Sequence, residues 1–330
     1  MKANIKVIYF IFAFALLLPE AICEAAIFEM ALRQESIYTP GKINLSMELT
    51  DEAKYAGEYQ FKISIYVTGS LIRAQTLQAN RKNTVAFELA FPEVFSRAEG
   101  RCRCELFIKD DFIESRELPF VLWPSIEAYP SESLKSKEIW TYDISGKLPE
   151  LFGKMQVKIV DATFQTTRDF STPEIVFIGQ DTDPNSMRLI AGRLKSVEKK
   201  PVIIFLKQKQ FLKEIKIEIP EENNISRNVD CDLRSMLLKD LMYRDIMNMA
   251  ANASYIKIQK DPNRPVKSYV TEVTKDEKNI YSFLCTVQEK EQIIICCQLP
   301  VTDNDDPRST ILLRNLLSFA DDFIDSEKNR

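Results

Sequence analysis

Pro201-Val202-Ile203-Ile204-Phe205-Leu206-Lys207-Gln208 decides how the second half of this chain is read. Its apolar run is β-branched and aromatic, enters from a proline and leaves through charged and amide side chains, which predicts a strand buried on both faces. Working outward, Ile175-Val176-Phe177-Ile178 is a second such run. Between them Asp183 precedes Pro184, a short carboxylate cap before a proline at the first helical position. Met187, Ile190, Leu194 and Val197 then keep one apolar stripe to Lys199. Nearer the C-terminal end, residues 281–287 and 292–297 read as strands. Asp306 and Pro307 open a helix with Ile311, Leu312, Leu316, Phe319 and Phe323 on its apolar face. Upstream, residues 139–142 and 156–160 read as strands, with 148–152 as a short helix. This alternation predicts an α/β domain over residues 137–325, a doubly wound and mostly parallel sheet, with a polar tail at 326–330.

Residues 26–122 follow another period. Tyr59, Phe61, Ile63, Ile65 and Val67 alternate with Lys62, Ser64 and Tyr66, so one strand face is expected buried and the other exposed. Seven such strands are expected at 27–33, 42–49, 58–67, 71–77, 84–90, 101–108 and 112–122. Turns are expected at Pro40-Gly41, Ala56-Gly57, Gly69-Ser70 and Asp110-Asp111. The pattern predicts an all-β, immunoglobulin-like sandwich. It resembles the immunoglobulin-like modules of exported bacterial proteins, whose last strand ends in an aromatic and a proline, as Phe120-Val121-Leu122-Trp123-Pro124 does. That resemblance implies presentation or spacing rather than catalysis. A linker is expected at 123–136, where Pro124, Pro130 and Ser131-Glu132-Ser133 favour extended, polar chain.

Lys2 and Lys6, the apolar run from Val7 to Leu18, and the small residues Ala21, Cys23, Ala25 and Ala26 read as an export signal over residues 1–25. Cleavage fits after Cys23 or after Ala25. The run is about 12 residues, short of the roughly 20 that span a bilayer. Lipidation at Cys23 is disfavoured because Ile22 stands where that signal needs a small side chain. The expected destination is the periplasm or the outside of the cell, with no membrane span after signal removal. Lys plus Arg number 44 against 48 Asp plus Glu, a net charge of -4 spread in mixed-sign runs, so no basic face recommends nucleic acid. The 8 glycines form neither a Gly-x-Gly-x-x-Gly motif nor a P-loop, and no nucleotide cofactor is expected.

Three groups of residues carry a closer likeness. They are Asp143-Ile144-Ser145-Gly146-Lys147 with Glu174-Ile175-Val176-Phe177-Ile178-Gly179; Leu237-Leu238-Lys239-Asp240-Leu241 through Asp245; and Ile293-Ile294-Ile295-Cys296-Cys297-Gln298-Leu299 with Asp306-Pro307 and Leu313-Arg314-Asn315-Leu316-Leu317. From about Ile139 to Phe323 the chain resembles the class I glutamine-amidotransferase-like domains found with bacterial glycoside hydrolases and exported carbohydrate-processing proteins. The resemblance implies a flavodoxin-like sheet with any ligand outside the carboxyl ends of its strands. It also implies a Cys-His-Glu triad, and here this chain departs. The chain has 0 histidines, and Lys207-Gln208-Lys209-Gln210 stands where a nucleophilic cysteine on a tight elbow belongs. Without an imidazole to take the thiol proton, that hydrolytic chemistry is excluded.

Asp181, Asp183, Asp303, Asp305 and Asp306 follow expected strands, where paired carboxylates can do acid/base work. Asp183 and Asp306 are better explained as helix caps. Asp181-Thr182-Asp183-Pro184-Asn185 begins like a calcium loop but meets Ser186 and Gly192 where that loop needs Gly and Glu, so no metal is expected. Cys102 and Cys104 share a strand face, and the vicinal Cys296 and Cys297 face opposite ways; all four read as core. The expected ligand-binding residues are Gln180, Asp181, Lys207, Gln208 and Gln298, side chains suited to hydrogen bonding a sugar or peptide. The expectation is therefore an exported, non-catalytic accessory protein that binds a glycan or a partner protein. The alternative is a carboxylate-dependent glycan hydrolase, and a purely structural role would be marked by a large exposed apolar patch.

Overall fold

The computed structural model describes residues 27–50, 58–79, 84–125, 133–163, 172–195, 197, 199–211, 216–220, 228–251, 253–274, 276–289, 292–303 and 306–328. The expected export signal, the centre of the expected linker, the Ala56-Gly57 turn, Asp305 and the end of the polar tail lie outside the described residues. The chain divides into two compact units. The first takes the chain up to Glu35, then Lys42–Ala90 and Glu99–Phe120; the second takes Ser36–Gly41, Phe91–Ala98 and Val121–Arg330.

The early strands are β1 (Phe28–Leu32), β2 (Ser36–Tyr38), β3 (Gly41–Leu49), β4 (Tyr59–Val67), β5 (Ser70–Gln78), β6 (Thr84–Phe91), β7 (Ala98–Ile108) and β8 (Asp111–Trp123). In the first unit β1, β3 and β6 form one sheet, and β8, β7, β4 and β5 form another. Period-two alternation builds β4: Tyr59, Phe61, Ile63 and Ile65 are buried, while Lys62 is exposed. Ser64, expected outside, is buried too; β4 is a central strand and sets Ser64 between Ala74 and Arg103. The ring of Phe28 meets Phe61 edge to face at 5.4 Å, joining the two sheets. Cys102 and Cys104 stand opposite Ile65 and Ile63 on the same buried face.

In the second unit Val121–Trp123, the end of β8, pairs in parallel with β2. Trp123, taken above as the first linker residue, is fully buried there. The elements that follow are β9 (Ile139–Tyr142), α1 (Lys147–Lys154), β10 (Val160–Asp161), β11 (Ile175–Ile178), α2 (Pro184–Lys195) and β12 (Val202–Leu206). Then come β13 (Ile217–Glu218), β14 (Val229–Cys231), α3 (Tyr243–Ala250), β15 (Ile256–Gln259), β16 (Val266–Glu272), β17 (Asn279–Glu289), β18 (Gln292–Cys297) and α4 (Pro307–Lys328). They build one ten-stranded sheet in the order β10-β9-β11-β12-β18-β17-β15-β13, with β16 on β17 and β14 on β16. Pairs among β10, β9, β11, β12 and β18 are parallel. Every pair made by β17, β16, β15, β14 and β13 with one another or with β18 is antiparallel.

The doubly wound, mostly parallel flavodoxin-like fold expected for residues 137–325 is therefore corrected: the sheet is mixed. Strand takes 46% of the structure and helix 21%, so β dominates among the described residues. The alternation of strand and helix holds on either side of residues 207–291 but does not cross them. There β15, β16 and β17 follow one another with no helix between them among the described residues. An apolar run could not reveal this, because β17 is buried from Ser282 to Val287 although all three strands paired with it are antiparallel. Continuous apolar character reports cover on two faces, not strand direction.

Both faces of the sheet are packed. Val202, Ile204 and Leu206 join Phe177, the α1 residues Leu148, Leu151 and Phe152, and Leu312 and Leu316 of α4. Ile203 and Phe205 join Val176, Ile178 and Ile190 on the other face. Burying each large aliphatic side chain contributes roughly 1.5–3 kcal/mol, so this short strand anchors both layers. No helix among the described residues is long and apolar enough to cross a membrane.

Candidate functional site

The carboxyl ends of the parallel strands deliver four polar loops to one side of the sheet. After β9, buried Asp143 accepts from Ser145 N at 3.1 Å, Ser145 Oγ at 2.7 Å and Leu148 N at 2.8 Å, which ties the loop to the first turn of α1. After β11, Gly179 N donates to Tyr142 O at 2.7 Å. Asp181 and Lys207, after β11 and β12, both take left-handed backbone, with φ 53° and 41°, and Asp181 N donates to Lys207 O at 3.2 Å. The strand leading to Lys207 thus does turn sharply where the sequence showed no elbow, though no cysteine stands there.

The structure brings Gln180, Asp181, Lys207, Gln208 and Gln298 to these strand ends but gives them other work. Gln208 is buried, and its amide nitrogen faces Gly179 O at 2.5 Å and Leu206 O at 2.7 Å. Its Oε1 accepts from Thr182 N at 3.1 Å. Buried Gln298 spends its amide on Gln208 O at 2.9 Å. Lys207 N donates to Cys297 O at 2.7 Å. Asp181 pairs with Lys209 at 3.1 Å, and Gln180 reaches Thr302 Oγ1 at 3.5 Å. Two of the five residues are internal braces rather than ligand-facing groups.

Asp183 and Asp306 are also engaged. Asp183 accepts from Asn185 N, Ser186 N and Ser186 Oγ, capping α2. The hydrogen bond from the Ser186 hydroxyl, then that from its amide, holds Asp183 below the usual aspartate range, unsuited to giving up a proton near neutrality. Asp306 accepts from Arg308 N and is gripped by its guanidinium.

A neighbouring cleft was not foreseen. Ser186, Leu189, Ile190 and Arg193 of α2 present one helical stripe to it, at spacings of three and four. Tyr142, Ile144, Thr163 and Thr182 close it from the β9, β11 and 163 loops, around a volume of about 230 Å³. Leu189 and Ile144 are 68% and 61% exposed, far from the burial expected of such residues. Burial pushes the Tyr142 phenol pKa up, and hydrogen bonding and charge from Arg193 counteract part of this. Thr163 Oγ1 accepts from Asp143 N at 2.8 Å, which leaves its hydroxyl proton to donate elsewhere. None of the five expected ligand residues lines this cleft, although Gln208 holds the backbone of Thr182 in its wall. The signal in the sequence was a second stripe on α2, beside the core stripe of Met187, Ile190 and Leu194.

No known family model matches the sequence, and no curated protein matches it. Parts of the chain are similar to solved structures. The CARDB domain of a Pyrococcus furiosus protein is 9% identical, with 29% of this chain and 84% of that chain covered and a TM-score of 0.22. Superoxide reductase (neelaredoxin) from Ignicoccus hospitalis is 10% identical, covering 32% of this chain and 88% of that one at a TM-score of 0.24. The β-glucuronidase of Parabacteroides merdae is 10% identical over 54% of this chain and 24% of its own, at a TM-score of 0.23. Likenesses at this level carry nothing about chemistry, which rests on the residues themselves.

Those residues include no activated thiol among the described cysteines whose titration is displaced. Burial pushes the pKa values of Cys102, Cys104 and Cys297 up to about 12, and that of half-buried Cys231 to about 11. Cys296 and Cys297 face opposite layers of the core. Alkylation of the native protein at pH 8 followed by mass spectrometry should therefore leave Cys102, Cys104, Cys296 and Cys297 unmodified, with Cys231 reacting slowly. Rapid labelling of any of the four would contradict the packing described here.

Proposed function

We propose that this is an exported, non-catalytic binding protein whose second unit receives the end group of a glycan or partner protein in the cleft between α2 and β9. The observation that carries this reading is the α2 stripe Ser186–Leu189–Ile190–Arg193, which sets the exposed Leu189 beside a guanidinium at a concave surface that the exposed Ile144 also lines. Its volume of about 230 Å³ lies below the ~300–1,000 Å³ of pockets that enclose whole drug-sized ligands, so it suits one terminal group. The non-catalytic part is supported by the capping duty of Asp183 and Asp306, and by a lining that carries no carboxylate among the described residues. Export rests on the pattern of Lys2, Lys6 and residues 7–26 in the sequence.

Thermal-shift and array screening of the full chain against glycans and peptides tests the reading. A ligand should bind without turnover, and Leu189→Asp, on an exposed side chain, should weaken it by roughly tenfold or more. Turnover abolished by Asp181→Asn or Asp303→Asn would overturn it in favour of a carboxylate-dependent hydrolase.

A further inference from the structure

Resting on that cleft, we infer that the group it receives is the free C-terminal carboxylate of a partner polypeptide ending in a compact apolar residue. Its polar lining is biased toward donors. Arg193 is its one charged side chain among the described residues, and a guanidinium presents parallel N–H groups that match a carboxylate. The Tyr142 hydroxyl lies beside that guanidinium, and the Thr163 hydroxyl, accepting from Asp143 N, keeps its proton to give. Thr182 has already donated its hydroxyl proton to Gly179 O at 2.9 Å, and Ser186 has donated its own to Asp183 at 2.5 Å. The Asp183 charge is turned to the first amides of α2, where the helix dipole favours it.

The apolar part of the lining selects the body that carries the carboxylate. Ile144 and Leu189 stand largely exposed at this cleft, and buried Ile190 completes an aliphatic surface. An aliphatic side chain next to a chain terminus covers them at no polar cost. A sugar ring laid there would leave hydroxyl groups facing hydrocarbon without partners. Capture of a chain terminus by positioned donors, with a pocket for the last side chain, is a recurrent mode of peptide recognition.

The test uses the full chain and fluorescence anisotropy with labelled peptide libraries ending in Leu, Ile or Val, prepared as free acids and as C-terminal amides. D-glucuronate and D-glucose serve as competitors. Free acids are expected to bind, with the amides and the Arg193→Gln variant weaker by roughly tenfold or more. Leu189→Asp guards against misfolding of the Arg193 variant: it replaces an exposed side chain and should weaken the free acids to a similar extent. Equal binding of acids and amides overturns the carboxylate inference while the cleft stands as a binding site. Stabilisation by glucuronate in a thermal-shift measurement, with no peptide binding, overturns the polypeptide source and leaves the binding role intact. If no peptide or sugar probe binds, both this inference and the proposed function fall.

Discussion

Gly179→Ala is expected to destabilise the second unit by about 2–4 kcal/mol, combining overpacking with the loss of a helix cap. A Cβ at this position would lie 2.6 Å from Asp143 Oδ1 and 2.8 Å from both Asp143 Cβ and Cγ. Neither partner can step aside cheaply. Asp143 is fixed by Ser145 and by Leu148 N, and Gly179 is held through its own N–H to Tyr142 O and through its carbonyl by Gln208 Nε2 at 2.5 Å and Thr182 Oγ1 at 2.9 Å. Relief of the clash therefore has to break the cap on α1 or the Gln208 brace. Thermal unfolding followed by circular dichroism should show a Tm lowered by roughly 5–10 °C. Asp143→Ala introduced into the Gly179→Ala protein should cost much less than it does in the wild type, because the two changes remove the same contact. Additive losses, or a Tm within about 2 °C of wild type, would show that the strand-end loops are looser than their hydrogen bonds imply.

The same loops show how far the sequence could be read. Period-two alternation located the strands of the first unit to within a few residues, because strands such as β3, β4 and β7 bury one face and a slip of one residue would expose it. β2 escaped notice: three residues, Ser36–Tyr38, are too few to display a period. The caps were legible because Asp183-Pro184 and Asp306-Pro307 are local chemistry, and both open helices in the structure. Sheet direction was not legible. It depends on whether residues 207–291 return by a turn or by a helix, and apolar runs look alike in both cases.

The site divides in the same way. That Gln208 and Gln298 follow strands could be inferred; that the left-handed turn at Lys207 is followed by a Gln208 amide lying under the carbonyls of Gly179 and Leu206 could not. The cleft joins residues from Tyr142 to Arg193 that only the parallel pairing of β9 with β11 brings together. Its one local mark was an exposed Leu189 on a helix whose neighbouring stripe was already assigned to the core.

A larger effect is expected where a charge has been buried to fix the last helix. Lys137, 7% exposed, places Nζ 3.0 Å from Asp321 Oδ1 and 2.5 Å from Asp325 Oδ1 on α4. Burial by itself lowers the pKa of this lysine, but hydrogen bonds to Asp325 and Asp321 more than offset it and hold the value above the ordinary one. The hydrogen bond from Lys137 holds Asp325 below the usual aspartate range. The pH dependence follows from these directions. The Lys137 contribution is fully present below the ordinary lysine pKa and is lost as pH rises through the raised value. The Asp325 contribution is present above the ordinary aspartate pKa and is lost as pH falls through the lowered one. Across the neutral range both are intact.

Lys137→Met keeps the length of the side chain but takes the cation from the buried carboxylate of Asp321, and breaking a buried pair from one side costs about 3–5 kcal/mol. Asp325 is half-exposed and returns to water, so the loss should trace to Asp321. Urea unfolding at pH 7 should show the deficit, and Asp321→Asn added to Lys137→Met should recover a large part of it, since an amide can be buried without charge. A Lys137→Met protein within about 1 kcal/mol of wild type, or one that Asp321→Asn leaves unchanged, would mean that water reaches this pair and that apolar packing alone seats α4.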